Sequence, residues 1–382
     1  MNQKVVVLLT VLIVLSIAIS SISLAITHLN LSSLNERLAG FQGKIGSMEQ
    51  SVSQALNLTT SLNERLNSLQ NTIELLKQPF PVSITDSMGR TVIISEPPKR
   101  IVSMAPSITE ILFALGLDDA VVGVTSYCNY PPEVPKLVEE GKIEVIGGFT
   151  SPNIEKIVSL SPDLIIAVKL QERFAIRLES LGLKVMVLKS ESVSDVFNSI
   201  LLIGRATGTY NRAIELVNDI SRHNMEIWNA TSKVSKKSVL VIVWLNPIYV
   251  AGGNTYINDL IELAGGTNVF NDKEGWITVS IEEVIKRNPD VIIVTGHAAP
   301  EKSASDIMSY LSEIPGWKDI EAIKNKRVYI YLEEAEDVLV RPGPRIDKAV
   351  QLIAMTLYPR LFNATLPNVI EGLSLVYPIL TR

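Results

Sequence analysis

Apolar and polar residues follow three successive rules along the chain. Residues 5–26, after Lys4, are uncharged and mostly apolar. From 31 to 76 apolar residues return at alternating spacings of three and four: Leu31, Leu34, Leu38, Phe41, Ile45, Met48, Val52, Ala55, Thr59, Leu62, Leu66, Leu69, Ile73 and Leu76. From 82 onward short β-branched runs alternate with segments of helical period. The first regime is long enough to span a bilayer, which takes about 20 residues. It also fits a cleaved signal segment, with Ser23-Leu24-Ala25 as a small-x-small site. The second regime predicts a coiled-coil stalk, roughly 70 Å long at 1.5 Å per residue. SLNERL at 33–38 recurs at 61–66, and Pro79 and Pro81 end the pattern.

The third regime contains a repeat. Residues 154–166 read IEKIVSLSPDLII and residues 281–293 read IEEVIKRNPDVII, with six of thirteen positions identical. Each copy opens on a cap residue, Asn153 or Ser280, with Glu155 or Glu282 in the first helical turn, where the positive end of the dipole favours a carboxylate. Pro-Asp then stops the helix and a β-branched run follows as a buried strand. A helix-to-strand unit recurring at domain-sized spacing predicts two similar α/β lobes with mostly parallel sheets.

In order, a hairpin is expected over 82–95 with its turn at Ser87-Met88-Gly89. A strand at 100–104 leads to a capping box from Ser107 to Glu110 that opens a helix ending at Gly116. Strands at 120–124 and 184–188 flank the first copy of the repeat and a helix at 172–181. Helices at 193–207 and 210–231 are separated by Gly208. The second has an inner stripe of Tyr210, Ile214, Val217, Ile220, Asn224 and Ile227, and no internal Gly or Pro, so it reads as a stiff brace between lobes. Lobe two begins at 238–244 and ends with a helix from 344 to 357. The resulting division is 1–27 anchor or signal segment, 28–80 stalk, 82–192 first lobe, 193–232 linking helices, 233–359 second lobe and 360–382 an apolar tail without a motif.

A net charge of −5 without a basic run argues against nucleic acid as a partner. One cysteine, Cys128, leaves no disulfide framework, and three histidines, His28, His223 and His297, leave no histidine-rich metal site. No Ser/His/Asp set, phosphate-binding glycine loop or metal cluster stands out, so an enzyme is not expected. Sequons at Asn30, Asn57, Asn229 and Asn363 permit glycosylation outside the cell.

Residues 82–358 resemble the periplasmic-binding proteins of ABC importers for cobalamin, haem and ferric siderophores. The resemblance rests on RIVSMAPSITEILFALG, SYCNYPPEV, the two repeat copies and RPGPRI at 341–346, taken in order. It implies two lobes joined by one long rigid helix, a ligand in the cleft between them, and a glutamate on each lobe that docks on arginines of the permease subunits. Those glutamates match Glu155 and Glu282. SYxxYPP is most similar to the cobalamin-binding branch, in which an aromatic at the position of Tyr127 contacts the ligand. The stalk lies outside the resemblance.

Loops at strand ends should line the cleft. They supply Tyr127, Tyr130, Phe149, Trp244, Tyr249, Tyr256, Trp276 and Arg341. An aromatic cleft with few charges suits a large, flat, partly apolar ligand: a corrinoid, or alternatively haem or a ferric siderophore. No resident cofactor is expected. Lys169, Arg341 and Arg345 are the candidates for pairing with an anionic chelate, and His297 is a candidate ligand for iron or cobalt. The expected setting is the cell membrane, with a single-pass anchor, the lobes outside, and homo-oligomers joined through the stalk. A coiled-coil surface scaffold is the alternative of another class.

Overall fold

The structure is a computed structural model that describes residues 14–21, 23, 44, 46, 48, 52, 54, 59–68, 80–299 and 303–373. The chain divides into two units, Met1–Lys77 and Gln78–Arg382. In the first unit the described residues are helical, and the seam positions Leu62 and Leu66 are exposed. Among the described residues no helix is long and apolar enough to cross a membrane. The anchor-or-signal segment 1–27 and the stalk 28–80 lie largely outside the described residues.

The second unit opens with an antiparallel hairpin, β1 (Val82–Thr85) and β2 (Thr91–Ile94). Asp86 closes its turn by accepting the backbone N–H of Met88 and Arg90. Lobe one is a parallel sheet in the order β5-β4-β3-β6-β7, with β3 at Ile101–Ser103, β4 at Val121–Val124, β5 at Glu144–Val145, β6 at Leu164–Val168 and β7 at Val185–Leu188. Its helices are α1 (Pro106–Ala114), α2 (Glu133–Glu139), α3 (Ile154–Ser159) and α4 (Glu172–Ser180). Every residue of β6 is buried, as expected of a strand covered on both faces.

The linking helices are α5 (Val193–Thr207) and α6 (Tyr210–Thr231), at the expected bounds. Ser192 and Asp195 form a capping box, and Gly208 ends α5 at φ 77° in the left-handed region that glycine enters without cost. The buried stripe of α6 is Ala213, Ile220, Asn224, Ile227 and Thr231. Tyr210, Ile214 and Val217, expected inside, are half-buried. The difference lies at Gly204 of α5, where an added Cβ would stand 2.5 Å from the Ala213 Cβ. The two small residues let the helices approach closely and turn Ala213 inward.

Lobe two is a mixed sheet in the order β11-β9-β8-β12-β13-β14, with β10 (Thr267–Asn268) on β8. Here β8 is Ser238–Leu245, β9 Ile248–Ala251, β11 Trp276–Thr278, β12 Val291–Thr295, β13 Val328–Tyr331 and β14 Val369–Ile370. The helices are α7 (Tyr256–Leu263), α8 (Ile281–Arg287), α9 (Ala304–Glu313), α10 (Glu321–Lys324), α11 (Glu333–Val340) and α12 (Ile346–Leu357). The antiparallel edge β8-β9-β11 was not anticipated, nor was β14, which brings the apolar tail back onto the sheet.

The repeat occupies equivalent places in both lobes. Asn153 accepts the Lys156 N–H and Ser280 the Glu283 N–H, as capping requires. The aspartate of each Pro-Asp has a further task. Asp163 accepts the backbone N–H of Lys99 and Arg100, and Asp290 that of Ser238. Each ties the end of the repeat helix to the start of the first strand of its lobe's sheet.

Ser107 and Glu110 do not form a capping box. Pro106 occupies the first helical turn, where its missing N–H costs nothing, so Ala105 is the N-cap and makes no side-chain cap bond. Glu110 faces inward with its side chain 1% exposed.

Candidate functional site

Two cavities, each of about 790 Å³, lie where the lobes face one another. The first is lined from lobe one by Phe149, Lys169, Leu170 and Glu191, and from lobe two by Asn254, Tyr256 and Trp276. The second is lined by Tyr127, Asn129 and Tyr130 of lobe one and by His297, Glu333, Glu334, Glu336, Asp337, Arg341 and Arg345 of lobe two.

The lobe-one loops are held from beneath. Gln171, buried, donates to the carbonyls of Met104 and Phe149, which fixes the loop that presents the Phe149 ring. Cys128 Sγ sits 3.2 Å from the hydroxyls of both Thr109 and Thr125 and anchors the loop carrying Tyr127 and Tyr130. Burial raises the Cys128 thiol above its ordinary value, so the group stays a neutral packing element. Tyr127 is 57% exposed and presents its ring to the second cavity.

On lobe two, Trp276 sits on edge strand β11 and stacks on Tyr249, ring centroids 6.2 Å apart. Tyr249 therefore backs the cavity wall without lining it. Trp244 is exposed, donates its indole N–H to the Asn246 carbonyl and lines neither cavity. Tyr256 is buried at the floor of the first cavity, and burial drives its phenol far above the ordinary value. It stays a neutral hydroxyl, 3.4 Å from the Arg341 carbonyl.

In the wall of the second cavity an ion network crosses from lobe to lobe. Glu110 accepts two bonds from Arg345, at 2.8 and 2.7 Å, and one from Arg341 at 3.3 Å. Arg341 also pairs with Asp337 at 2.7 Å and donates to Asn129 Oδ1 at 2.6 Å. Arg345 lies over the Tyr130 ring, 3.9 Å from its centroid. Burial raises the Glu110 carboxyl, against the pull of both guanidinium groups. The expectation of a cleft with few charges is corrected here. Arg341 and Arg345 are committed to carboxylates, and Lys169 to Glu191 at 3.1 Å. Helix α11 meanwhile adds Glu333, Glu334 and Glu336 to the wall. The residues the sequence reading missed are Glu110, read as a cap, Asn129, and the acidic run 333–337, which resembles a solvated helix face. The signal that could have found them is RPGPR itself, whose two arginines need buried anions.

Glu155 and Glu282 are exposed, each in the first turn of its repeat helix, and neither has an ion-pair partner among the described residues. Hydrogen bonds from its own backbone and from the Ser280 hydroxyl hold the Glu282 carboxyl below its usual range. Among the described residues no group of three or more His, Cys, Asp or Glu side chains could hold a bare metal ion.

Comparison with known proteins places this geometry among binding proteins. The model of the family described as periplasmic binding protein matches residues 101–335. An uncharacterised ABC transporter substrate-binding lipoprotein, YvrC of Bacillus subtilis, is 35% identical over 294 residues, which cover 74% of this chain and 88% of that protein. The vitamin B12-binding protein of Salmonella choleraesuis is 31% identical over 223 residues, covering 56% of this chain and 79% of that one. The crystal structure of a possible iron-binding (periplasmic solute-binding) protein from Staphylococcus epidermidis superposes with a TM-score of 0.60 at 34% identity, covering 69% of this chain and all of that one.

Proposed function

The chain belongs to the periplasmic binding protein family, and from that premise we propose that it captures a corrinoid between its lobes and delivers it to the permease of an ABC importer. It is the solute-binding subunit of such an importer and not an enzyme. One observation carries the choice of ligand within the cobalamin, haem and ferric-siderophore group. The cleft cations are paired to carboxylates, and α11 lines the wall with further carboxylates. Haem propionates and anionic chelates would meet like charge there, whereas a corrinoid is edged with amides that donate hydrogen bonds to carboxylates. The aromatic faces of Tyr127, Phe149 and Trp276 supply flat apolar contact.

Delivery is assigned to Glu155 and Glu282, exposed, without an ion-pair partner among the described residues and matched across the lobes, as the groups that meet permease arginines. Segment 1–27 is read as holding the protein at the membrane with the lobes outside, and 28–80 as a parallel coiled-coil stalk that joins copies of the chain. Calorimetry on the full chain with cobalamin, ferric haem and a ferric hydroxamate tests the ligand. The corrinoid should bind and the two others should not; tight haem or hydroxamate binding with no corrinoid binding would refute the assignment. In the reconstituted importer, Glu155→Gln with Glu282→Gln should leave ligand affinity unchanged and abolish ligand-stimulated ATPase activity. Normal stimulation would sink the docking role.

A further inference from the structure

Helix α6 carries a second apolar stripe beside its buried one. Tyr210, Ile214, Val217, Ser221, Met225 and Trp228 follow one another at steps of four, three, four, four and three residues, so they share one flank of the helix. The first four are half-buried, and Met225 and Trp228 are 63% and 50% exposed. None of them lines either cavity. The stripe reads nearly the same from both ends. Tyr210 stands nine residues before Asp219 and Trp228 nine after it; Val217 stands two before and Ser221 two after; Ile214 stands five before and Met225 six after. The charges beside the stripe repeat this symmetry with opposite signs, Glu215 four residues before Asp219 and Arg222 three after. Both are exposed. Glu215 has no ion-pair partner among the described residues. Arg222 pairs at 2.9 Å with Asp219, an exposed neighbour one turn away, and such a surface pair holds a side chain only weakly.

We propose that this flank is a contact between two copies of the chain, with their α6 helices antiparallel about a two-fold axis level with Asp219. A two-fold interface is isologous: if one residue meets a second on the partner, the second meets the first. Tyr210 then lies on the partner's Trp228, Ile214 on the partner's Met225, and Val217 on the partner's Ser221, whose small side chain lets the helices approach at the axis. Glu215 faces the partner's Arg222, and the symmetry makes that pair twice. A parallel arrangement would instead set Glu215 against Glu215 and Arg222 against Arg222, so the charges choose the direction. They also disfavour an anionic lipid surface as the occupant, because Glu215, Asp219 and Glu226 are all exposed along the same helix. The contact uses none of the cleft residues, and it is separate from any association through the stalk.

Disulfide trapping on the full chain tests the contact. The native Cys128 is buried and stays out of the reaction. Asn218 is exposed and one residue from the axis, so the two copies of that position stand only about 3 Å apart along the helices. Glu226 is equally exposed but seven residues away, which separates its two copies by about 21 Å. Under mild oxidation Asn218→Cys should give a covalent dimer, and Glu226→Cys should not. On the Asn218→Cys background, Glu215→Arg or Arg222→Glu alone should slow trapping roughly tenfold, since each turns two attractions into two repulsions. The two reversals together should restore the rate, with circular dichroism unchanged throughout. Equal trapping at 218 and 226 would show copies held together by the stalk alone and overturn the contact. So would the absence of a covalent dimer, a double reversal that fails to recover, or shielding of the 218 thiol from a maleimide by phosphatidylglycerol vesicles in place of a second copy.

Discussion

Replacing Glu110 by Gln should weaken the protein by about 3 kcal/mol, the lower end of the ~3–5 kcal/mol seen when one partner of a buried ion pair is removed. The lower end follows from the geometry. Gln keeps an oxygen for one Arg345 bond, and Arg341 retains Asp337 at 2.7 Å and Asn129 at 2.6 Å. Arg345 is the group left stranded. Its side chain is 9% exposed, its Nη1 has no hydrogen-bond acceptor among the described residues, and its nearest other carboxylate, on Glu334, is 3.8 Å away. With a urea slope of about 3 kcal/mol per molar, the midpoint should fall by about 1 M. Adding Arg345→Met removes the stranded charge, so the double variant should be more stable than Glu110→Gln alone. A midpoint within about 0.3 M of the unsubstituted protein, or costs of the two substitutions that simply add, would refute the view that this pair is a buried, coupled bridge between the lobes.

Asp86 gives a pH test. Burial alone would raise its carboxyl, but Arg90 and the N–H groups of Arg90, Val187 and Met88 hold it below the ordinary value. A carboxyl lowered by folding contributes stability above its unfolded pKa and loses it as the pH falls through the folded one. Asp86→Asn should therefore be less stable than the unsubstituted chain at pH 7, with a gap that narrows below about pH 4; a gap independent of pH would exclude the charge as its source. Trp276→Ala should cost about 1–3 kcal/mol of ligand affinity without loss of fold, read by calorimetry and circular dichroism, and unchanged affinity would remove Trp276 from the site. Small-angle scattering of residues 80–382 with and without ligand should give the same radius of gyration, because α6 runs unbroken between the lobes; a change of several ångströms would reveal a hinge.

The elements that were legible from sequence are those whose signals are local. The bounds of α5 and α6 follow from Ser192 and Gly208, and the repeat announces its own caps and strands. Edge strands β9, β11 and β14 were missed because two to four residues carry no period of their own and become strands only by pairing with β8, β9 and β13. The aromatic lining was legible in part: Tyr127, Tyr130, Phe149, Tyr256 and Trp276 line the cavities, while Trp244 and Tyr249 lie behind or beside them. The charge of the cleft was not legible. Glu110 meets its arginines across more than 200 residues of chain, and a glutamate one helical turn from a serine looks locally like a cap. The run EEAED at 333–337 likewise looks like a solvated face, yet Glu336 is buried and Asp337 nearly so.

The apolar tail is a strap. Beyond α12 the chain lays β14 along β13, where Ile330 and Leu332 donate to the carbonyls of Asn368 and Ile370. It then reaches α11, with Ala335 donating to the Glu371 carbonyl and Leu373 to the Glu334 carboxylate. Since α11 carries Glu336 and Asp337, a segment remote from the cleft in sequence is a mechanical support for its acidic wall. Trimming the chain after α12 would leave every cleft residue present. It would also bare the flank of β13 as an unpaired sheet edge, inviting self-association, and loosen the start of α11. Expression designs that shorten this end, or crowd it with a purification handle, would alter the binding properties they are meant to measure.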